Sequence, residues 1–346
     1  MQTSYLKMQR IAALARLYPE IKDPDLVRLP DGTFMMLASI GRSDIQSWVV
    51  GRFTAESIDG EWLEQEPVRF HGLSGPQLCA SSTLCRVKNG RPQWDMHIQT
   101  ACFEPNGKIV SAQSDDGLNF VQSARPAVTK ESLINDRGVV GVYDAGVTEI
   151  FDEGETKECM VFSGYRSVGN GDLYASFRDP SHPDNPWQPA KLILDQESVP
   201  FHNHPEYEYR EWGLEGAKLV QLGESDYLLV GVCFLPRPRE FSGTRQRIFF
   251  AWGQSPSPPF TLLGTVIEPD TTGETGHPDV MLQDGVLHMI YQERTGEGKP
   301  WHLRYTRFDV ERLREEMTRK RTTDLSSAYW TVGSHDHAAN DYRFRL

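Results

Sequence analysis

The chain has 346 residues, of which 38% are aliphatic, aromatic or cysteine, enough for a sizeable hydrophobic core. Its 36 Lys and Arg are outnumbered by 48 Asp and Glu, giving a net charge of −12. Nucleic acids and anionic membranes are bound largely through Lys and Arg, so the charge balance argues against both as partners. The 22 prolines and 29 glycines are spread along the chain, which favours many short strands and turns.

The N-terminal stretch MQTSYLKMQRIAALARLYPE predicts one short amphipathic helix that uses Ile11, Leu14 and Leu17. Its apolar run is broken by Arg16 and is too short for a signal peptide, and no segment approaches the ~20 apolar residues of a membrane span. We therefore expect a cytoplasmic protein. The five cysteines are odd in number and form no C-x-x-C pair, a pattern typical of buried free thiols in a reducing compartment.

A pattern of about sixty residues recurs five times along the chain. Each copy has a small or charged residue, an apolar pair, a turn containing Gly or Asp, and a second apolar run. The copies begin near IKDPDLVRLPDGTFMMLAS, CASSTLCRVKNGRPQWDMHIQTA, YDAGVTEIFDEGETKECMVFSG, LEGAKLVQLGESDYLLVGVCF and GHPDVMLQDGVLHMIYQER. Their opening positions lie 59, 62, 71 and 62 residues apart and are Asp23, Ser82, Asp144, Glu215 and His277.

A third strand follows in every copy, and a fourth follows in four of them. Four strands in each of five copies predict an all-β, five-bladed β-propeller, in which neighbouring blades bury each other's faces, so the chain should form a single domain. The predicted blades span approximately residues 18–72, 76–128, 139–195, 201–269 and 274–346. In the last copy DVERLREEMTRKR predicts a charged helix, and either AYWTV or DYRFRL could complete the blade.

The first strand of every propeller blade lines the central channel, so the five opening positions should converge at one end of the axis. Carboxylates brought that close shift each other's pKa values, which acid/base chemistry requires. Hydrolysis of a glycosidic bond needs one ionised carboxylate to activate water and one protonated carboxyl to protonate the leaving oxygen. Asp23, Asp144 and Glu215 are therefore the predicted catalytic residues.

The series Asp23-Pro24, Asp144-Ala145, Glu215-Gly216 and His277-Pro278 resembles the pattern of glycoside hydrolase family 43 over roughly residues 18 to 310. Members of that family are five-bladed propellers. The resemblance implies that Asp23 is the general base, Glu215 the general acid, and Asp144 the residue that tunes the acid. It places His277 near an axial metal ion, commonly calcium, although no cofactor is required. It also implies inversion at the anomeric carbon and α-L-arabinofuranosides or β-D-xylosides as substrates.

The sequence departs from the family pattern where Ala145 and Ala217 replace proline and where the second copy carries no acid. Other activities therefore stay open: a glycoside phosphorylase, a transglycosidase, a biosynthetic tailoring enzyme, or a non-catalytic sugar-binding propeller. A phosphate-dependent enzyme would need an anion site, for which the candidates are Arg237, Arg239, Arg245 and Arg247.

A small carbohydrate is the expected partner, and flat rings and hydrogen-bond donors near the blade openings are the candidates to hold it. The predicted substrate-binding residues are His97, Tyr143, Arg166, Trp212 and Gln292, with Trp94 as a further candidate. Two histidine pairs at a spacing of two could chelate zinc, but no acidic or cysteine partner stands at a fixed spacing: they are His202/His204 and His335/His337. Oligomeric state is left undetermined.

Overall fold

The fold is described from a computed structural model that covers residues 3–45, 47–73, 79–100, 106–135, 137–167, 170–181, 186–198, 213–236, 244–257, 259–267, 273–296 and 298–322. The N-terminal segment forms β1 (Ser4–Tyr5), β2 (Lys7–Gln9) and helix α1 (Ala12–Leu17). The first repeat forms β3 (Glu20–Arg28), β4 (Phe34–Arg42), β5 (Ser47–Ala55), β6 (Glu61–Gln65) and β7 (Arg69–His71). The second forms β8 (Cys79–Lys88), β9 (Arg91–Gln99), β10 (Ile109–Ser114) and β11 (Asn119–Val128).

The remaining repeats follow the same plan. The third forms β12 (Gly141–Asp152), β13 (Glu155–Ser167), β14 (Asn170–Arg178) and β15 (Lys191–Leu194). The fourth forms β16 (Leu214–Gly223), β17 (Asp226–Pro236), β18 (Thr244–Gly253) and β19 (Thr261–Thr265). The fifth forms β20 (Glu274–Gln283), β21 (Val286–Arg294), β22 (His302–Asp309) and helix α2 (Val310–Thr322). The predicted five-bladed propeller, with its short N-terminal helix and its C-terminal helix, is confirmed.

Each blade is an antiparallel sheet whose strands follow the chain outward from β3, β8, β12, β16 or β20. Two blades gain a fifth, parallel strand at the outer edge: β2 pairs with β6, and β7 pairs with β11. Strand β7 comes from the end of the first repeat and joins the second blade, so it covers the exposed edge of its neighbour.

The outermost strand of the last blade comes from the other end of the chain. Strand β1 pairs antiparallel with β22, with Ser4 opposite Tyr305, and the Arg304 guanidinium donates to the Thr3 hydroxyl at 3.2 Å. The two segments expected to close this blade, AYWTV and DYRFRL, lie outside the described residues. Because β2 then joins the first blade, residues 4–9 connect the fifth blade to the first around the outside of the ring.

The hydrophobic core is divided among the five interfaces between neighbouring blades. Leu37 of the first blade packs with Met96 of the second, and Phe250 of the fourth packs with Met289 of the fifth. Helix α2 adds Leu313 to the interface of the fourth and fifth blades. A blade is covered on both faces, which is why strands such as FMMLASIGR in β4 are apolar along almost their whole length. Burial of each such side chain contributes about 1.5–3 kcal/mol.

Two further sequence expectations meet the structure here. Cys85, Cys159 and Cys233 are free thiols, but Cys79 is disulfide-bonded, so the prediction of free thiols is wrong at that residue. The disulfide weakens the argument for a reducing compartment, and the location of the protein stays a prediction. In the part of the chain that is described, no helix is long and apolar enough to cross a membrane.

Candidate active site

The innermost strand of every blade carries one β-bulge near its start. Near the start of the strand, the pairing register shifts once in each of β3, β8, β12, β16 and β20. At each shift one residue adopts a left-handed backbone, and these five residues, the bulge ring, are Asp23 (φ +48°), Ala80 (+51°), Asp144 (+53°), Gly216 (+53°) and His277 (+39°). A left-handed backbone costs a non-glycine residue about 1–2 kcal/mol. Four of the five positions bear that cost, and three of them carry an ionisable side chain.

In two blades the left-handed residue differs from the opening position that the sequence repeat indicates. In the second blade the left-handed residue is Ala80 and not Ser82, and in the fourth blade it is Gly216, so Glu215 precedes the bulge by one residue. The glycine is required there, because a Cβ at position 216 would lie 2.9 Å from Nδ1 of His277.

Four of the five bulges, those at Asp23, Ala80, Asp144 and Gly216, are each held by the blade before them in the ring. The backbone N–H of Asp23 donates to Oε1 of Gln292 at 2.9 Å, and that of Asp144 donates to Oε1 of Gln99 at 2.9 Å. The N–H groups of Ala80 and Gly216 donate to serine hydroxyls at 3.0 and 3.3 Å. Satisfying these buried donors supports the strained backbone, since a lost partner costs about 1–3 kcal/mol.

The bulges enclose a cavity on the propeller axis. Its wall is formed by the bulge residue and the two residues after it in all five blades: 23–25, 80–82, 144–146, 216–218 and 277–279. The cavity measures about 40 Å³, room for water but not for a sugar ring. Glu215 is not part of this wall and joins the cluster through its contact with His277.

Asp23 is buried and faces two cations. Nζ of Lys22 lies 3.3 Å from Oδ2 of Asp23, and Nδ1 of His277 lies 3.4 Å from Oδ1. Burial alone would raise the pKa of Asp23, but these two cations and a hydrogen bond from Ser39 outweigh it and hold the pKa below its ordinary value. Lys22 is itself held over the ring of Trp48, 4.5 Å from the ring centroid. Asp23 is therefore kept ionised.

Asp144 has the opposite electrostatic environment. Burial, opposed by His277 and reinforced by the negative charges of Glu215 and Asp23, raises its pKa to about 7. The Tyr165 hydroxyl lies 3.3 Å from its Oδ2. Two aspartates at equivalent bulge positions thus differ in protonation, one ionised and one protonated for much of the time near neutral pH.

Glu215 is buried and held at both carboxyl oxygens. Nε2 of His277 lies 3.0 Å from its Oε1, and the Tyr165 hydroxyl donates to its Oε2. An imidazole ring therefore stands between the carboxyl groups of Asp23 and Glu215. Burial lowers the pKa of His277, but the neighbouring carboxylates, Asp23 first, outweigh it and raise the pKa to about 9. At neutral pH this ring carries a positive charge between the two acids.

The same residues offer a possible metal site. Asp144, Glu215 and His277 each present one ligand atom within 4.8 Å of the others, a spacing at which they could hold an ion. Calcium takes six to eight oxygen ligands, whereas this group supplies two carboxylates and a ring nitrogen. The imidazole is also engaged with Asp23 and Glu215. The donor set fits calcium poorly, and no chemical step below passes through a metal.

A second set of side chains faces the axis two residues after each bulge residue. These positions, the second ring, are Asp25, Ser82, Gly146, Lys218 and Asp279. Asp25 accepts from the N–H of Thr83 in the next blade at 3.0 Å, and Ser82 accepts from that of Val147 at 2.8 Å. Nζ of Lys218 lies 2.6 Å from Oδ1 of Asp279, which accepts from the N–H of Leu26 through Oδ2. A Cβ at Gly146 would lie 2.2 Å from the Ala217 carbonyl, so no side chain fits there.

The predicted sugar contacts have varied positions. Gln292 is buried and supports the bulge at Asp23. His97 is buried against Trp187, with its pKa lowered to about 4 by burial, and neither it nor Trp94 belongs to the axial wall. Arg166 forms an ion pair with Asp172 at 2.7 Å. For these residues sugar contact stays a prediction.

The aromatic candidates divide between described and undescribed residues. Tyr143 is buried and stacks on Tyr165, with ring centroids 4.8 Å apart. Trp212 lies outside the described residues, as do both histidine pairs and the arginines at 237 and 239. Of the four proposed anion-binding arginines, Arg247 is the one whose side chain is described: it is buried and donates to the carbonyls of Gln246 and Gly273 at 2.8 and 2.9 Å.

Two residues of the cluster were missed in the sequence, Lys22 and Tyr165. Both stand beside a residue that was chosen, Asp23 and Arg166. For Tyr165 the signal was alternation: successive residues of a strand face opposite sides, so either Tyr165 or Arg166 could face the acids, but not both.

No protein-family model matches the sequence, and no curated protein matches it. Many solved structures match its fold. A GH43 β-xylosidase/α-arabinofuranosidase from a compost microbial metagenome, solved with xylotriose in a calcium-free form, is 16% identical, with a TM-score of 0.58 over 88% of this chain and 95% of that one. A GH43 enzyme from Xanthomonas citri, solved with xylose, is 16% identical, with a TM-score of 0.56 over 85% of this chain and 91% of its own.

An α-L-arabinofuranosidase from Lactobacillus brevis is 12% identical, with a TM-score of 0.54 over 86% of this chain and 92% of its own. At these identities the likeness shows the fold, a GH43-like five-bladed β-propeller. The resemblance predicted from the sequence is confirmed at that level.

Proposed function

We propose that this protein is a glycoside hydrolase that inverts the anomeric carbon of a small glycoside or oligosaccharide. The observation that carries the proposal is the meeting of three buried carboxyl groups from the first, third and fourth blades around one imidazole. Their environments differ: the pKa of Asp23 is lowered, and that of Asp144 is raised to about 7. Acids whose environments separate their protonation states are the arrangement that acid/base catalysis needs.

In this proposal Asp23 is the general base, because Lys22 and His277 keep it ionised and able to accept a proton from water. Glu215 is the general acid and protonates the leaving oxygen. The His277 ring stands between the two carboxyl groups and contacts both, an arrangement that suits attack by water better than attack by a carboxylate. Inverting enzymes keep the two groups roughly 6.5–9.5 Å apart for that water. Asp144 shares its hydroxyl neighbour Tyr165 with Glu215 and thereby tunes the acid.

The substrate class rests on the fold likeness. The similar solved structures include enzymes named as a β-xylosidase and an α-L-arabinofuranosidase, and one was solved with xylose. We propose an α-L-arabinofuranoside or a β-D-xyloside as the substrate. Because the axial cavity has room only for water, the sugar would lie over the acids at the mouth of the ring. The proposal needs no metal, and a structural calcium ion at His277 would need more oxygen ligands than Asp144 and Glu215 supply.

The test is the release of aryl alcohol from a panel of aryl glycosides, run with and without phosphate and after exhaustive chelation. We expect turnover of an arabinofuranoside or xyloside that needs neither phosphate nor metal. NMR of the first product should show the inverted anomer. A retained anomer would contradict the water-mediated mechanism, phosphate dependence would indicate a phosphorylase, and no turnover of any glycoside would contradict the proposed activity altogether.

A further inference from the structure

We infer that Tyr165 is a positioning residue for this reaction: its hydroxyl fixes the carboxyl of Glu215 and joins it to Asp144 as one hydrogen-bonded unit. The inference rests on the function proposed above. Tyr165 lies on β13, the second strand of the third blade, and contacts acids of two blades, Asp144 beside it and Glu215 across the blade interface.

The ring of Tyr165 is held in place by its neighbours. It is buried and stacks on Tyr143 at an interplanar angle of 29°. Three glycines make room for the pair, because a Cβ on any of them would overlap a ring. At Gly171 it would lie 2.6 Å from Cδ1 of Tyr165, and at Gly107 and Gly141 it would lie 2.2 and 2.6 Å from atoms of Tyr143. This packing therefore fixes the position of the Tyr165 hydroxyl.

The Tyr165 hydroxyl has two carboxyl neighbours but can donate to only one of them. A tyrosine O–H has one hydrogen, and its oxygen also accepts. It donates to Oε2 of Glu215, so its contact with Oδ2 of Asp144 is a hydrogen bond only when Asp144 carries the proton. The pKa of the Tyr165 hydroxyl is raised well above its ordinary value, by burial first and then by the two carboxylates, so the group stays a donor.

Glu215 is thus oriented by a donor on each oxygen, Tyr165 on Oε2 and the His277 ring on Oε1. Removing the hydroxyl would free the carboxyl to rotate away from the leaving group. The loss should then depend on how much the leaving group needs a proton, which a purely structural contact would not produce.

The experiment compares Tyr165→Phe with Tyr227→Phe. Tyr227 is another buried tyrosine, but its hydroxyl contacts Gln221 and the Phe151 carbonyl and none of the acids. On an unactivated glycoside Tyr165→Phe should lower kcat on the order of 10²-fold, the scale of a misplaced group, with KM nearly unchanged. On a dinitrophenyl glycoside it should lose only a few-fold, and Tyr227→Phe should lose little on either substrate.

Equal losses on both substrates, or no loss, would overturn the positioning role while leaving wild-type glycosidase activity intact. An inactive wild type would instead count against the proposed function. If Tyr165→Phe does not fold, the same comparison is made with Gly107→Ala, whose Cβ would overlap the Tyr143 ring that stacks on Tyr165 and which keeps the Tyr165 hydroxyl. Failure of both variants to fold would make the contact structural and overturn the inference.

Discussion

The bulge ring and the second ring face the same axis from the same five strands, two residues apart, yet they are built in opposite ways. Three of five positions in each ring carry an ionisable side chain, but only in the bulge ring is the backbone left-handed. In the second ring the side chains accept backbone N–H groups from the next blade or form an ion pair, as Asp25, Ser82 and Asp279 do.

This difference indicates that the two rings have different roles. The second ring joins neighbouring blades, and its contacts are those that stabilise a closed propeller. The bulge ring turns its side chains out of the blade pairing and towards each other, and it is supported from behind by Gln292 and Gln99. Backbone strain is concentrated where a site for chemistry would be, while the side chains two positions away join neighbouring blades.

The largest expected effect is a difference in kcat between variants of Asp23 in the bulge ring and Asp25 in the second ring. Asp23→Asn should lower kcat on any glycoside on the order of 10³-fold, because water activation is needed for every leaving group. Asp25→Asn keeps an acceptor for Thr83 and relieves repulsion with Asp279, so kcat should change only a few-fold. Steady-state kinetics on folded protein checks both, and similar losses would show that the rings do not divide their work.

The next largest effect should be on stability and belongs to the second ring. Lys218→Met leaves the buried Asp25 and Asp279 carboxylates without their cation and should cost about 3 kcal/mol of unfolding free energy. Lys157→Met is the control, because Lys157 pairs with the more exposed Asp152 and Glu153 and should cost under about 1 kcal/mol. Urea unfolding at pH 8 measures both, and equal costs would contradict the structural role of the second ring.

A smaller effect should appear in the pH dependence of stability. Burial and the charge of Asp279, opposed by Lys218, raise the pKa of Asp25 to about 7, so the folded state binds a proton that the unfolded chain releases near pH 4. Stability should therefore fall as pH rises from about 4 to about 7. Asp25→Asn should flatten that fall by at least ~1.4 kcal/mol, the free energy of one pKa unit. A steeper fall in the variant would contradict the assigned pKa direction.

The smallest effect is expected at Ser82, the position that the sequence repeat placed in the catalytic phase. Ser82→Ala removes the acceptor for the Val147 N–H and should cost about 1 kcal/mol of stability, with kcat nearly unchanged. Thermal unfolding and kinetics on the same sample check it. A large loss of kcat at normal stability would contradict this expectation and indicate that Ser82 takes part in the reaction.

The propeller and its acids were predictable from the sequence because both follow from a period. Strand pairs repeat every sixty or so residues, and first strands meet at the axis, so the repeat alone places Asp23, Asp144 and His277 together. The exact position of the left-handed residue within each repeat could not be predicted. Nothing in the residue letters marks Ala80 as left-handed, and the one-residue offset between Glu215 and Gly216 appears only in the pairing register.

Other features lay outside any local pattern. The strands Ser4–Tyr5 and Lys7–Gln9 are too short and exposed to show alternation, and their pairing with distant β22 and β6 is set by closure of the ring. The sequence favours Arg166 over Tyr165 as the side chain that faces the site, because a guanidinium suits sugar hydroxyls, yet the arginine is paired with Asp172. Which neighbour faces the acids depends on strand register, which the sequence did not supply.

The central claim, that the acids around His277 form a catalytic pair, is tested most directly by Glu215→Gln with two leaving groups. The glutamine keeps the shape and removes the proton that an alkyl or sugar leaving group needs. Turnover of a natural glycoside should fall by about 10²-fold or more, while a dinitrophenyl glycoside should be far less affected and the alkaline limb of the pH profile should flatten. Equal losses on both substrates with an unchanged pH profile would contradict the claim and remove Glu215 from the acid role.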